Sequence, residues 1–466
     1  MSFPIPSARF PSARSGVLLS LLAVALSACG PAPQASGIND PLEPMNRATH
    51  GLNKGLDRVI LRPGAQAYGV VPAPVRQGVS NFADTLDLPG DMANHMLQGR
   101  LGEATTNFLR FGVNVVFGLG GLLDVASEAG LPRDDTDFGE TLHVWGVGEG
   151  PYVELPGFGP STARDAVGTV VDFALNPVSR AAGGDAATVA TVAKVLARLN
   201  DRKRYSNTVD SILYDSADSY AQARLLYLQN RRFELSRGAA APGAGDETGG
   251  AEGGADEGFI DPYEDPMPSD ILLTRRSFGL ALGAGLAASA LPALALNVDQ
   301  ARALIDKAVG DINKVINSGK SEGAMLPEFE KIFARYADVP TIARSALGVA
   351  ARSASDAQMR AFTKAFQFYI SRKYGRRFRE FIGGRIEVTD AHPLKSYFEV
   401  ISTAHLKGEA PFEVRWHVSD KAGKSLFFNI IIEGVNMLAS ERTEIGAMLD
   451  KRKGNLDALI ADLQKS

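Results

Sequence analysis

Between Gly238 and Asp270 the chain is built almost wholly from Gly, Ala, Asp, Glu and Pro. So little apolar surface cannot offset the entropy of ordering the segment, and no core runs through it. The 466 residues therefore fall into two bodies, an N-terminal one over 29–237 and a C-terminal one over 297–466, each needing its own core. As a flexible coil this linker bridges on the order of 30 Å, and about 110 Å at full stretch. The wider stretch 238–273 is expected to be disordered and carries nine acidic and no basic residues, while 297–466 is positive by about five. A net charge of -4 hides that asymmetry. Neither body gathers the dense basic surface that nucleic acid demands, so nucleic acid is not expected as a partner.

Residues 1–28 read as an export signal. Arg9 and Arg14 precede an uncharged run from Ser15 to Ala28, rich in Leu and Val and too short to span a bilayer comfortably. The run ends Leu26-Ser27-Ala28-Cys29-Gly30, and Cys29 is the one cysteine of the chain. No disulfide framework or multi-cysteine metal site is therefore available. The placement resembles the lipobox of bacterial lipoproteins, which implies lipidation of Cys29 and firm anchoring by more than one acyl chain. A plain signal peptide with an incidental thiol is the other reading. Gly30 and Pro31 follow without an aspartate, which by analogy with enteric sorting directs the anchor to the outer membrane.

A second signal-like run occupies 274–296. Thr274-Arg275-Arg276-Ser277-Phe278-Gly279-Leu280 and the uncharged stretch up to Ala293-Leu294-Ala295-Leu296 resemble a twin-arginine export signal. Three readings stay open: a fossil of gene fusion that is still cleaved, separate translation from Met267, or a retained apolar helix with Gly279 and Gly283 as a GxxxG pair.

Helical periodicity dominates the N-terminal body, and the expectation is an all-α domain. Its most apolar segment, 94–131, holds Phe108, Phe111, Val113, Val115, Val116 and Phe117, with Arg110 and Asn114 as sparse polar members and Gly118, Gly120 and Gly121 as punctuation. Such a segment is either a buried helical hairpin or a surface facing lipid. The words Asn39-Asp40-Pro41-Leu42-Glu43-Pro44-Met45-Asn46-Arg47, Arg110-Phe111-Gly112-Val113-Asn114 with Gly118-Leu119-Gly120-Gly121-Leu122-Leu123-Asp124, and Trp145-Gly146-Val147-Gly148-Glu149-Gly150-Pro151-Tyr152 resemble the MlaA (VacJ) family of outer-membrane lipoproteins. The resemblance implies a ring-like helical domain embedded in the outer membrane, bound to porin trimers and enclosing a channel for misplaced phospholipid. Arg110 and Asn114 would then carry the headgroup, or else serve as a salt bridge or cap. Gly118, Gly120 and Gly121 would form a ridge near the pore, or else allow close packing.

In the C-terminal body Met359, Phe362, Phe366, Tyr369, Ile370, Tyr374, Phe378 and Phe381 mark one face of a long helix, opened by Ser355 and Gln358 and stopped by Gly383-Gly384. Strands are expected at Arg385 to Thr389, Tyr397 to Ala404, Phe412 to Val418 and Ser425 to Glu433. Phe412, Val414, Trp416 and Val418 should share one face, as should Leu426, Phe428, Ile430 and Ile432. The expected fold is α+β, helices packed on an antiparallel sheet. Ala346-Leu347-Gly348, the Phe366, Tyr369 and Tyr374 helix, Ile432-Glu433-Gly434-Val435-Asn436 and the ending Leu456-Asp457-Ala458-Leu459-Ile460 resemble the MlaC (Ttg2D) family. That implies a cavity for phospholipid tails, for which the candidate lining is Phe362, Phe366, Tyr369, Ile370, Val414, Trp416, Phe428 and Ile430. An ordinary core is the other reading. The basic run Arg372 to Arg379 is either a solvated face or a docking site for an anionic headgroup or an acidic partner.

No G-x-S-x-G elbow, H-E-x-x-H motif or P-loop occurs, and the six histidines lack ligand spacing, so no catalytic or metal-binding residue is assigned and no cofactor is expected. The two resemblances together imply retrograde phospholipid transport that maintains outer-membrane lipid asymmetry, from an anchored channel to a periplasmic carrier. An inner-membrane ATP-driven complex of the Mla type would accept the lipid. A structural lipoprotein or a lipid hydrolase is the alternative.

Overall fold

A computed structural model describes residues 38–175, 185–239, 296–375, 383–394, 396–406 and 411–465. Cys29, the first signal-like run and all of the second but Leu296, nearly all of the linker, and Phe378 and Phe381 lie outside them. Two compact units divide the chain at Asp215/Ser216.

The first unit is helical. Helix α1 (Glu43–Leu56) passes through a five-residue π segment, Asp57–Leu61, into α2 (Arg62–Tyr68), and α3 (Ala73–Leu97) and α4 (Leu101–Val116) follow. Proline in the opening turn starts α1, α2 and α3, where its missing N–H deprives no carbonyl of a partner. Asp124 and Asp137 cap α5 (Val125–Glu128) and α6 (Phe138–Val144) by accepting the backbone N–H of Ser127 and Glu140. Then come α7 (Ala163–Leu175), α8 (Asp185–Arg204) and α9 (Ser206–Asp210). The all-helical expectation needs one amendment. Strands β1 (Tyr152–Leu155) and β2 (Gly159–Thr162) form an antiparallel hairpin between α6 and α7. Four-residue strands are too short to establish an alternating pattern, so the periodicity passed over them.

The second unit opens with α10 (Ser219–Ala239), which precedes the linker, and continues with α11 (Val298–Ile316), α12 (Glu322–Tyr336), α13 (Val339–Leu347) and α14 (Asp356–Gly375). Asn297 and Gln300 form a capping box on α11, and Ser355 and Gln358 exchange hydrogen bonds of 3.3 and 3.1 Å ahead of α14. A five-stranded antiparallel sheet runs in sequence order: β3 (Arg385–Leu394), β4 (Tyr397–His405), β5 (Phe412–Ser419), β6 (Leu426–Ile432) and β7 (Val435–Asn436). Helices α15 (Met437–Lys451) and α16 (Leu456–Leu463) close the chain, and α11 packs on β3, β4 and β5. The α+β expectation holds.

One register detail departs from the expected alternation. Pairing slips between His417 and Val418, so Asn429 faces His417 while Phe427 faces Val418, and Phe428 is the bulged residue between them. Ile430 and Ile432 stay beside Trp416 and Val414 as expected. Phe427 joins that face, its ring 5.3 Å from Trp416. Phe428 turns to the opposite face, 5.2 Å from Tyr397 and 5.8 Å from His417.

Candidate functional site

Burial in the first unit is the reverse of that in a water-soluble domain. On α4 the buried residues are Ala104, Asn107, Arg110 and Asn114, while Phe108, Val116 and Phe117 are 61, 69 and 70 % exposed. Helix α3 likewise buries Ser80, Thr85, Asp91, Asn94 and His95, with Leu88 its single large apolar side chain inside. Among the described residues of this unit, Leu88 and Tyr152 are the only large apolar side chains that are buried. Exposed oil around buried amides and carboxylates is the pattern of a surface that meets a partner rather than water alone.

The Arg110 guanidinium, 2 % exposed, holds the loop that follows α4. It donates to both carboxylate oxygens of Asp124 at 3.0 and 3.1 Å, to Ser127 Oγ at 3.2 Å and to the Leu131 carbonyl. Asn114 Nδ2 donates to the same carboxylate at 3.0 Å, and its oxygen accepts the Ala126 N–H at 2.9 Å. Burial alone would push Asp124 up; bonds from Ser127 and Asn114 and the Arg110 charge outweigh it and hold the carboxyl below its ordinary range. Of the two roles expected for Arg110 and Asn114, the bonds visible here are those of the salt bridge and the cap. A small cleft beside them is lined by Asn81, Asp84, Thr85, Leu88, Arg110, Asn114, Asp124 and Arg133.

Gly118, Gly120 and Gly121 turn the chain tightly. A Cβ at Gly118 would lie 2.2 Å from the Leu123 carbonyl oxygen, and Gly121, with φ of 100°, lies where a Cβ would meet Thr85 at 2.9 Å. Close packing thus fixes these two positions. The loop they shape presents Leu119, Leu122 and Leu123 outward, so the apolar rim continues past the helix end.

Distant residues complete the polar interior, and sequence spacing gave no sign of them. Asn46 donates to Asp40 at 2.9 Å and to the Tyr152 carbonyl at 3.1 Å, and accepts the Glu154 N–H at 3.0 Å, fastening α1 to the hairpin. His50 faces Glu154 at 3.3 Å. Asp57 takes two bonds from Arg202, at 2.6 and 3.0 Å, and one from Tyr214 at 2.7 Å. Burial raises Asp57, but these donors outweigh it and lower its pKa. Among the described residues no cluster of three or more His, Cys, Asp or Glu suits a metal ion, and no helix is long and apolar enough to cross a membrane.

The second unit has the ordinary polarity, oil inside. Phe362, Phe366, Ile370, Val414, Trp416 and Phe428 are buried members of one hydrophobic cluster, and Tyr369 and Ile430 pack against it partly exposed. Phe362 and Phe366 stack at 5.7 Å, and the Trp416 indole donates to Ser402 Oγ at 2.9 Å, which satisfies its polar edge inside. The candidate lining is thus gathered in one interior, apart from Phe428 on the far side of the sheet. On that side Glu399 lies 3.3 to 3.4 Å from His392, Arg415 and His417. Burial lifts Glu399, yet His417, Arg415 and His392 together hold it low. Of the basic run, Lys373 pairs with buried Glu441 at 2.7 Å rather than facing solvent freely.

Comparison with known proteins separates the two halves. Residues 38–234 match the family model described as MlaA lipoprotein, and residues 306–465 match that of MlaC protein. The intermembrane phospholipid transport system lipoprotein MlaA of Haemophilus influenzae is 35% identical over 231 residues, 48% of this chain and 91% of the relative. Its Escherichia coli K12 counterpart is 36% identical over 212 residues, 44% of this chain and 82% of the relative. A solved phospholipid-binding protein from Ralstonia solanacearum, in complex with a phospholipid, is 19% identical and covers 35% of this chain and 98% of its own, with a TM-score of 0.31.

Proposed function

We propose a function for a chain that belongs to the MlaA lipoprotein family over residues 38–234 and joins to it an MlaC protein region over 306–465: phospholipid transport between membranes, with channel and carrier on one polypeptide. The first unit, anchored through acylated Cys29, sits in the outer membrane beside porin trimers and takes up phospholipid misplaced in the outer leaflet. Lipid passes the region of Arg110, Asn114, Gly118, Gly120 and Gly121. It then reaches the periplasmic second unit, where acyl chains lodge among Phe362, Phe366, Tyr369, Ile370, Val414, Trp416 and Ile430, with Phe428 behind the sheet. An ATP-driven Mla-type complex in the inner membrane receives the cargo, so flow is retrograde and this chain breaks no covalent bond.

The observation that carries the reading is the inverted burial of α4, with Asn107, Arg110 and Asn114 inside and Phe108, Val116 and Phe117 outside. Such a helix gains from surrounding hydrocarbon and keeps a polar interior for a headgroup. The carrier meets a separate need. Each methylene withdrawn from water contributes about 0.8 kcal/mol, so a two-tailed lipid does not cross the periplasm unsheltered.

Deleting the gene should raise outer-leaflet phospholipid, read as lipid accessible to an added phospholipase on intact cells, and the wild-type chain should restore the low level. An unchanged outer leaflet would favour a structural lipoprotein. Free fatty acid released by the purified chain would favour a hydrolase.

A further inference from the structure

Helix α10 is seated on the β6–β7 turn and on α15, all within the second unit. Gln222 Nε2 donates to the Ser440 carbonyl at 2.8 Å and to Glu444 Oε2 at 3.3 Å, and Glu444 Oε1 accepts the Ala217 N–H at 2.7 Å. Asn230 donates to the Glu433 carbonyl at 3.2 Å, and Gln229 Oε1 accepts the Asn436 N–H at 3.1 Å. Phe233 lies so close over Gly434, whose φ is 74°, that a Cβ there would fall 2.1 Å from the Phe233 Cβ. The turn Glu433-Gly434-Val435-Asn436 is thus shaped to receive α10.

One helical turn away, α15 is tied to the aromatic helix. Glu441, 3 % exposed, accepts Lys373 Nζ at 2.7 Å and the Tyr374 hydroxyl, both from the last turn of α14. Helix α15 therefore holds α10 through Glu444 and Ser440, and α14 through Glu441. The joint is incompletely satisfied, since Glu441 Oε2 and Ser440 Oγ are buried without hydrogen-bond partners among the described residues. Such atoms are costly to keep. Burial also lifts the Glu444 carboxyl above its ordinary range, against the pull of Lys373.

The interior beside α14 is occupied by its own side chains, with Phe362 and Phe366 wholly buried. Close-packed interiors do not take in two acyl chains without displacing the helix that fills them. Taking the transport reading as its basis, we infer that α15 is a two-sided coupling element with Glu441 as its positioning residue. Acyl chains lodging beside α14 draw Lys373 and Tyr374 off Glu441, loosen α15 and release α10 from its seat. An empty carrier holds the strap, and a loaded one lets it go. By linkage, a seated α10 lowers lipid affinity by the same factor.

The test uses the intact chain in detergent, stripped of lipid and then reloaded with phosphatidylethanolamine, with bound lipid counted by mass spectrometry. Hydrogen exchange over 219–235 should accelerate roughly tenfold on loading, within the range of known couplings. In Glu441→Gln, lipid should still bind while exchange changes less than about twofold. Should that variant unfold, Lys373→Met combined with Tyr374→Phe, which removes both ties from α14, provides the same comparison. Bound lipid with an unmoved strap in the wild type, or a variant that responds like the wild type, overturns the coupling and leaves transport standing. Failure to load any lipid overturns both.

Discussion

Asp91 lies on the interior side of α3 with one carboxylate oxygen unpartnered, and burial, with Asp135 and Asp87 adding to it, raises its pKa to about 8. The folded protein then keeps a proton that the unfolded chain releases. The stability this represents is present below the ordinary value of 3.8 and is lost as pH rises to about 8. Melting temperature should therefore fall between pH 5 and pH 8 in the wild type and stay nearly level in Asp91→Asn; an equal slope in both would place the proton elsewhere. Nothing in the spacing of Asp84, Asp87 and Asp91 announced this, because a charge stripe on a helix reads as a solvated face until its surroundings are known. The same limit hid His50–Glu154 and Asp57–Arg202, whose partners stand more than a hundred positions apart. Phe428 eluded the strand alternation for a different reason: a single bulged residue breaks the period of two and reverses the faces on either side of it.

Among the elements, α4 was legible as an apolar helix, but the direction of its faces was not. A period of 3.6 fits oil facing inward or outward equally well; Asn107, Arg110 and Asn114 bonded inward decide for outward. Helix α14, by contrast, was readable down to its Ser355–Gln358 opening, since its aromatic stripe and capping pair are local signals. The rim makes a separate prediction. In water, Phe117→Asp with Leu123→Asp should change stability by only about 0.5 kcal/mol each, as both side chains are exposed. In hydrocarbon each charge costs about 3 kcal/mol. A form lacking the acyl anchor should stay with membranes on flotation when the rim is intact and leave them when it carries both aspartates. Release of both forms would mean that the rim does not meet lipid.

For the whole molecule, the acidic stretch suggests two bodies with a boundary near residue 238, whereas the compact units part at Asp215/Ser216, ahead of it. The MlaA match runs on to residue 234, so α10 belongs to that family by sequence and to the second unit by its bonds. Composition could not reveal this, because α10 is an ordinary polar-faced helix whose partners lie some two hundred residues downstream. On the proposed transport reading, a chain that stays whole keeps its two units at high effective concentration, which favours handover between them. Photo-crosslinking from position 366 of the intact chain, in cells, addresses this handover most directly. A photoreactive side chain at Phe366 should capture intact two-tailed phospholipid, and the yield should drop about tenfold when Phe117→Asp and Leu123→Asp close the first unit to lipid. Adducts confined to the protein's own side chains, or lipid captured equally with the rim charged, would contradict transport through this chain.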